Sequence, residues 1–222
     1  MKRQKDLDSN MSKPITSLNN DVYLITPSLL NSWLWIWECS NGVKEAESDV
    51  ISIEDKKTKA QEKAFEDFLK TLRREPFEPN EYMLAGIQFE EDCYKGKTCI
   101  SPIIEGGAYQ IVGKKNVQVD GMNFLMYGRL DVLKSGTVYD IKRVFKYSLP
   151  KYKWSSQHGF YLDLFPKAND FKYLCFDGSK LHIEQYFRDQ YTPTTEVISQ
   201  FINWLTNKKL LDVYKDNWKS KY

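Results

Sequence analysis

The sequence of 222 residues lacks a long apolar run: the longest, Leu29–Trp37, is interrupted by Asn31 and Ser32 and is too short to span a bilayer. It lacks a secretory apolar region near Met1, so disulfides are not expected. Its four cysteines, Cys39, Cys93, Cys99 and Cys175, show no C-x-x-C spacing, which argues against a zinc ribbon. Nor is one sign of charge in excess. With 32 basic and 30 acidic residues the formal net charge is +2. That balance excludes a histone-like polycation but leaves room for nucleic acid, because acidic surface can offset a basic groove. There is no internal repeat and no low-complexity linker. What remains is the composition of a soluble globular protein, 41% hydrophobic and 28% charged, expected in the cytoplasm and not at a membrane.

Residues 1–20 are polar, without apolar periodicity, and read as a disordered tail. Residues 21–222 read as a single domain. Thr26-Pro27-Ser28 predicts a helix start, with Thr26 as cap, running to about Cys39. Phe65, Phe68, Leu69 and Leu72 at helical spacing predict a second helix over Ile53–Arg74. Asn80 caps a third, Glu81–Lys95, with Gly96 past its end. The period then shortens to that of strands. Tyr109–Val119, Asn123–Leu133 and Thr137–Val144 form a meander with turns at Asp120-Gly121 and Lys134-Ser135-Gly136. A helix over Pro150–Leu164, a hairpin of Phe171–Phe176 with Leu181–Phe187, and a helix over Thr194–Asn207 follow, then a basic tail. The expected fold is α/β, a mixed central sheet flanked by helices, with a helical N-terminal segment.

Chemistry concentrates in the meander. On a strand, residues two apart share a face, so Asp140 and Lys142 point one way and Ile141 the other. If Ser135 and Gly136 are the two turn residues, Lys134 pairs with Thr137 and Asp131 falls opposite Asp140. Their Cβ atoms would then be about 4.5–5.5 Å apart. Two opposed carboxylates repel, and a half-buried pair calls for a cation between them. Lys142 answers in part; a hard divalent ion, which takes one or two carboxylates plus water and phosphate oxygens, answers better. D-x-K by itself also describes a surface ion pair, so the second acid carries the inference. One helical turn separates Gln157 from Tyr161, placing two neutral hydrogen-bonding groups on one face.

Taken together, Gly128-Arg129-Leu130-Asp131, then Tyr139-Asp140-Ile141-Lys142, then Gln157 with Tyr161 resemble the PD-(D/E)xK nucleases. The likeness is greatest to their RecB-type branch, which includes phage exonucleases, nuclease domains of recombination helicases and CRISPR-associated relatives. In that branch a G-x-x-D strand, a D/E-x-K strand and a Q-x-x-x-Y helix follow in this order. Gly86-Ile87-Gln88-Phe89-Glu90 fits the glutamate version of an earlier helical motif, and Thr26-Pro27-Ser28-Leu29-Leu30 resembles the usual N-terminal helix. Two departures stand out. Asp140 takes the place of the commoner Glu, and the cysteines do not match the pattern of members that hold an iron–sulfur cluster. No cluster is expected, and Cys39 and Cys175 read as buried, apolar-like residues.

The resemblance implies a restriction-endonuclease-like core and a Mg²⁺- or Mn²⁺-dependent deoxyribonuclease. One or two ions would be held by Glu90, Asp131, Asp140 and the backbone carbonyl of Ile141. Asp131, Asp140, Lys142, Gln157 and Tyr161 would be catalytic, with Gln157 and Tyr161 positioning a phosphate or Lys142. Lys146, Lys151 and Lys153 would touch the nucleic-acid backbone. Trp33, Trp35 and Trp37, at spacing two on a helix, cannot share one face, so some pack inward. His158, turned to a different face of the helix from Gln157, is expected to have a structural or peripheral role. The implied role is exonuclease action on DNA in phage or mobile-element recombination and repair, with a recombination protein as a possible partner. An endonuclease, junction-resolving or restriction-like, and a catalytically silent nucleic-acid- or partner-binding module of the same fold stand as alternatives.

Overall fold

The structure, a computed structural model, describes residues 21–42, 50–148 and 150–221; the expected tail, 1–20, lies outside the described residues. The chain first makes β1 (Val22–Ile25) and then α1 (Pro27–Glu38). The Thr26 hydroxyl accepts the Leu29 N–H at 3.2 Å and Pro27 opens the helix, as the sequence predicts. α2 (Val50–Leu72) buries Ala64, Phe68 and Leu72 along one stripe. α3 (Glu81–Tyr94) starts with the Asn80 side chain accepting from Met83 at 3.0 Å. A single turn, α4 (Ser101–Ile104), leads into the meander β2 (Ala108–Val119), β3 (Met122–Lys134) and β4 (Thr137–Arg143). Asp120-Gly121 and Ser135-Gly136 all have positive φ, between 50° and 80°, the geometry of two-residue hairpin turns. There follow α5 (Gln157–Leu164), β5 (Asp170–Phe176), β6 (Leu181–Phe187), α6 (Thr194–Asn207) and α7 (Leu211–Asn217).

The six strands form one mixed sheet in the order β1-β3-β4-β5-β6, with β2 on the other edge of β3. β1 runs parallel to β3 and β4 parallel to β5; the remaining pairs are antiparallel. Helices cover both faces. One core joins Phe171, Tyr173 and Cys175 to residues of α1, α2, α5, α6 and α7. A smaller one joins Ile141 and Leu174 to Cys93 of α3 and Ile104 of α4. The expected α/β class, a mixed sheet flanked by helices, is therefore the observed one. Among the described residues no helix is long and apolar enough to cross a membrane.

Three differences from expectation stand out. α5 begins at Gln157, not Pro150: the Ser155 N–H closes a turn on the Tyr152 carbonyl at 3.0 Å, and the buried Glu184 carboxylate holds the N–H groups of Lys151 (2.7 Å) and Tyr152 (3.1 Å). The basic tail contains α7, whose Tyr214 is fully buried and donates to the Leu24 carbonyl at 2.9 Å. The chain beyond it seals the edge of β1: Leu24 N–H donates to the Trp218 carbonyl and Ser220 N–H to that of Val22, both at 2.7 Å. Cys39, expected to be buried, is half-buried with its thiol directed at the Ile36 carbonyl, whereas Cys175 is buried as expected.

Candidate active site

β3 changes partner along one edge. Asn123–Met126 pair with β1 and Val132–Lys134 with β4; Tyr127–Asp131 between them pair with neither. On the other edge the β2 ladder skips one position, Gln110, the residue facing Asp131. Gln110 has φ of 54°, a left-handed conformation that costs a residue with a side chain. Packing switches sides at the same level. Leu130 belongs to the core beneath α5, whereas Val132 belongs to the core beneath α3. Paired irregularities at Gln110 and Asp131 therefore break the alternation of faces.

The expected register holds from Lys134–Thr137 to Val132–Tyr139 and stops one pair short of Asp131 and Asp140. There the strands fork. Asp131 turns its carboxylate into the fork, where Oδ2 accepts the Ile141 N–H at 2.8 Å. Asp140 is 3% exposed. Its Oδ1 accepts from the Gln157 side-chain amide, and its Oδ2 lies 2.6 Å from the Lys142 ammonium. Burial pushes the Asp131 carboxyl well up, and repulsion by Asp140 adds to the rise. Burial also raises Asp140, against the pull of Lys142. Burial alone would discharge Lys142, but the carboxylates of Asp140 and Asp131 outweigh it and hold the ammonium charged.

Glu90 reaches the same fork from α3. Its Oε1 accepts from the Tyr94 hydroxyl at 2.5 Å and from the Gln110 amide, and Tyr94 also lies 3.5 Å from the Asp131 carbonyl. The Glu90 charge contributes to the rise at both aspartates. Gln110 and Tyr94 escaped the sequence reading. A signal for Gln110 was present: the two-residue turn at Asp120-Gly121 sets it opposite Asp131.

α5 approaches the sheet over glycine. Gly113 and Gly128 are cross-strand partners. A Cβ on Gly128 would stand 2.8 Å from Tyr161 Cε1, and one on Gly113 2.7 Å from Leu164 Cγ. The glycine of G-x-x-D thus makes room for the tyrosine of Q-x-x-x-Y. The Tyr161 hydroxyl donates to the Arg129 carbonyl at 2.7 Å, in the stretch of β3 that pairs with neither β1 nor β4. The expected division of labour changes: Gln157 holds Asp140 and Tyr161 holds the β3 backbone. Asn31 of α1 accepts from the Ser156 N–H and hydroxyl, both at 2.9 Å, and so fixes the start of α5. A cleft of about 430 Å³ opens between these elements, lined by Thr26, Ser28, Arg129, Lys142, Gln157 and Tyr161 among others.

The other candidates lie apart from it. Lys146, Lys151 and Lys153 are absent from the cleft wall, as are Glu90, Asp131 and Asp140; of the candidate site residues Lys142, Gln157 and Tyr161 line it. Lys151 spends its ammonium on the Lys146 carbonyl at 3.1 Å. His158 is buried and stacks on Tyr186 at 4.1 Å, and burial lowers its pKa to about 4. Trp33 is buried, while Trp35 and Trp37 are 45% and 44% exposed. Among the described residues no group of three or more His, Cys, Asp or Glu side chains is gathered to hold a metal ion.

No family model matches the chain, and no curated protein matches it. Among solved structures it is similar to one described as "Crystal structure of SSO0001", with 14% identity and a TM-score of 0.50, over 83% of this chain and 76% of that one. At that identity the likeness is one of fold alone.

Proposed function

We propose that this chain is a Mg²⁺- or Mn²⁺-dependent deoxyribonuclease of the PD-(D/E)xK type, acting as an exonuclease in phage or mobile-element recombination and repair. One observation carries the reading: Asp131, Asp140 and Lys142 meet at a strand fork, with Gln157 bonded to Asp140 and Glu90 adding its charge to both acids. The donors fit a hard cation. They are carboxylate oxygens whose ionisation is suppressed by burial and by neighbouring carboxylates, a cost that a bound cation would offset. Magnesium needs only one or two carboxylates, completing its shell with water and phosphate oxygens, so an enclosing set of three side chains is not required. Asp131 and Asp140 would hold the ion, with Glu90 and the Ile141 carbonyl as further ligands. When bound, the ion polarises the phosphate and lowers the pKa of a coordinated water.

The protein's own groups do the rest. Lys142 keeps its proton beside Asp140 and offsets the negative charge that grows on the phosphate oxygens during attack. Gln157 fixes Asp140 in one orientation. Tyr94 and Gln110 hold Glu90. The cleft between α1, β3 and α5 admits the strand to be cut.

The test is cleavage of end-labelled linear DNA with Mg²⁺ or Mn²⁺. Wild type cuts, and Lys142→Ala cuts slower by roughly 10²–10³-fold, the usual cost of losing one charge-stabilising donor. Unchanged cleavage by Asp131→Ala refutes the site. Closed circular DNA cut as readily as linear DNA turns the reading to an endonuclease. The lack of a three-group metal cluster among the described residues favours, as second reading, a silent nucleic-acid-binding module of the same fold. No cleavage of any DNA or RNA by pure wild type selects it.

A further inference from the structure

A second hollow adjoins the cleft. It measures about 370 Å³, and Tyr127 lines both. Arg74, Lys114, Lys219 and Lys221 line it, with no carboxylate among its walls, over an apolar floor that includes Leu24 and Leu125. With 32 basic against 30 acidic residues overall, four cations in one hollow are a local concentration and not a share of a general excess. They come from separate parts of the chain: the end of α2, the middle of β2, and the C-terminal segment bonded along β1.

The geometry holds these groups in place. Arg74 occupies the left-handed position after α2, φ 55°, where glycine is the ordinary choice, and its guanidinium lies 4.4 Å over the Trp218 ring. Lys114 and Tyr127 are cross-strand partners, the ammonium 5.8 Å from the ring centre. Lys219 is paired with Asp21 at 2.5 Å and Arg74 lies on Trp218, so the argument rests on the convergence of cationic side chains in one hollow and not on any of them lacking a partner. Along β3, Tyr127 and Arg129 share a face, so the wall of the groove runs on into the wall of the cleft.

We propose that this groove is the track of a single DNA strand leading to or from the cleft. Phosphates would meet Arg74, Lys114 and Lys221, and bases would lie on Tyr127 and the apolar floor. A single strand is favoured over a duplex because the apolar floor needs exposed base faces, which a duplex keeps stacked inside. The choice of DNA as ligand rests on the nuclease reading; binding in the groove does not require cleavage.

The experiment uses the full chain and a short fluorescent single-stranded oligodeoxynucleotide in EDTA, titrated over a salt series. Two proteins are compared with wild type: the triple variant Arg74→Gln, Lys114→Gln, Lys221→Gln, and Lys221→Gln alone, an exposed change outside any helix or strand. The slope of log affinity against log salt falls by about 0.7 for each phosphate contact removed from a single strand. We expect a fall of about 0.7 for the single variant and about 2 for the triple. In Mg²⁺ the triple variant's KM rises more than its kcat falls. Affinity and slope equal to wild type in both variants overturn the groove, as does the absence of binding by wild type. Equal, groove-dependent affinity for a blunt duplex overturns the single-strand assignment. A wild type that binds through these residues but cuts nothing sinks the nuclease reading and leaves the groove standing.

Discussion

At the scale of the residue, Asp131, Asp140 and Lys142 were legible because hairpin turns fix register. The turn at Ser135-Gly136 formed as its sequence predicts, and the register ran true as far as Val132–Tyr139. The last step failed because the β2–β3 ladder breaks at the left-handed Gln110 and at Asp131 opposite it, and propensity rules carry no sign of that. Gln110 offers a test. Gln110→Gly keeps the backbone conformation and removes the amide from Glu90; we expect the Mn²⁺ midpoint of activity to rise about 10-fold, as for lost supports of metal ligands. Gln110→Ala adds a backbone cost of roughly 1 kcal/mol, to be read as a lower Tm than Gln110→Gly. His158 makes a pH prediction. Its folded pKa, about 4, lies below the ordinary 6.5, so the fold favours the neutral ring and the unfolded chain binds the extra proton. Its contribution is complete above about pH 6.5 and is lost as pH falls toward 4, by about 3 kcal/mol at most. Denaturant melts at pH 7 and pH 5 should differ less in His158→Phe than in wild type; an equal difference contradicts this.

At the scale of the element, caps and turns were the readable part. Thr26 and Asn80 cap α1 and α3 where they were expected to, because a capping side chain acts on N–H groups within three residues of itself. Elements decided by distant partners were not readable. β1 is four residues long and owes its strand state to β3 and to the segment around Trp218. The segment ahead of α5 is held by Glu184, more than thirty positions from Lys151 and Tyr152, and the start of the helix by Asn31, on another helix. The Gly113–Gly128 pair connects the elements of the site. Gly128→Ala places a Cβ against Tyr161, which anchors α5 to β3. The expected outcome is a loss of about 1–3 kcal/mol in denaturant unfolding, the usual cost of forcing an atom into a packed contact. Cleavage should fall along with it, since the same shift moves Gln157 away from Asp140.

At the scale of the whole molecule, the class of fold followed from the order of helical and strand periods, while the location of the site followed from topology. β3 hands over from β1 to β4 along one edge, and the stretch between them lines the cleft with Tyr127, Gly128 and Arg129. Without β1 in view, the sequence could identify the motif but not the opening. Overall charge was silent in the same way: a net +2 conceals a basic groove assembled from three distant segments. The most direct measurement of the central claim is a crystal structure of the protein soaked in Mn²⁺, with anomalous scattering recorded to locate the ion. The account predicts an anomalous peak at the fork, within coordinating reach of both the Asp131 and Asp140 carboxylates, and its loss in Asp131→Ala. The fork without a peak, at a Mn²⁺ concentration that supports cleavage in solution, would contradict it.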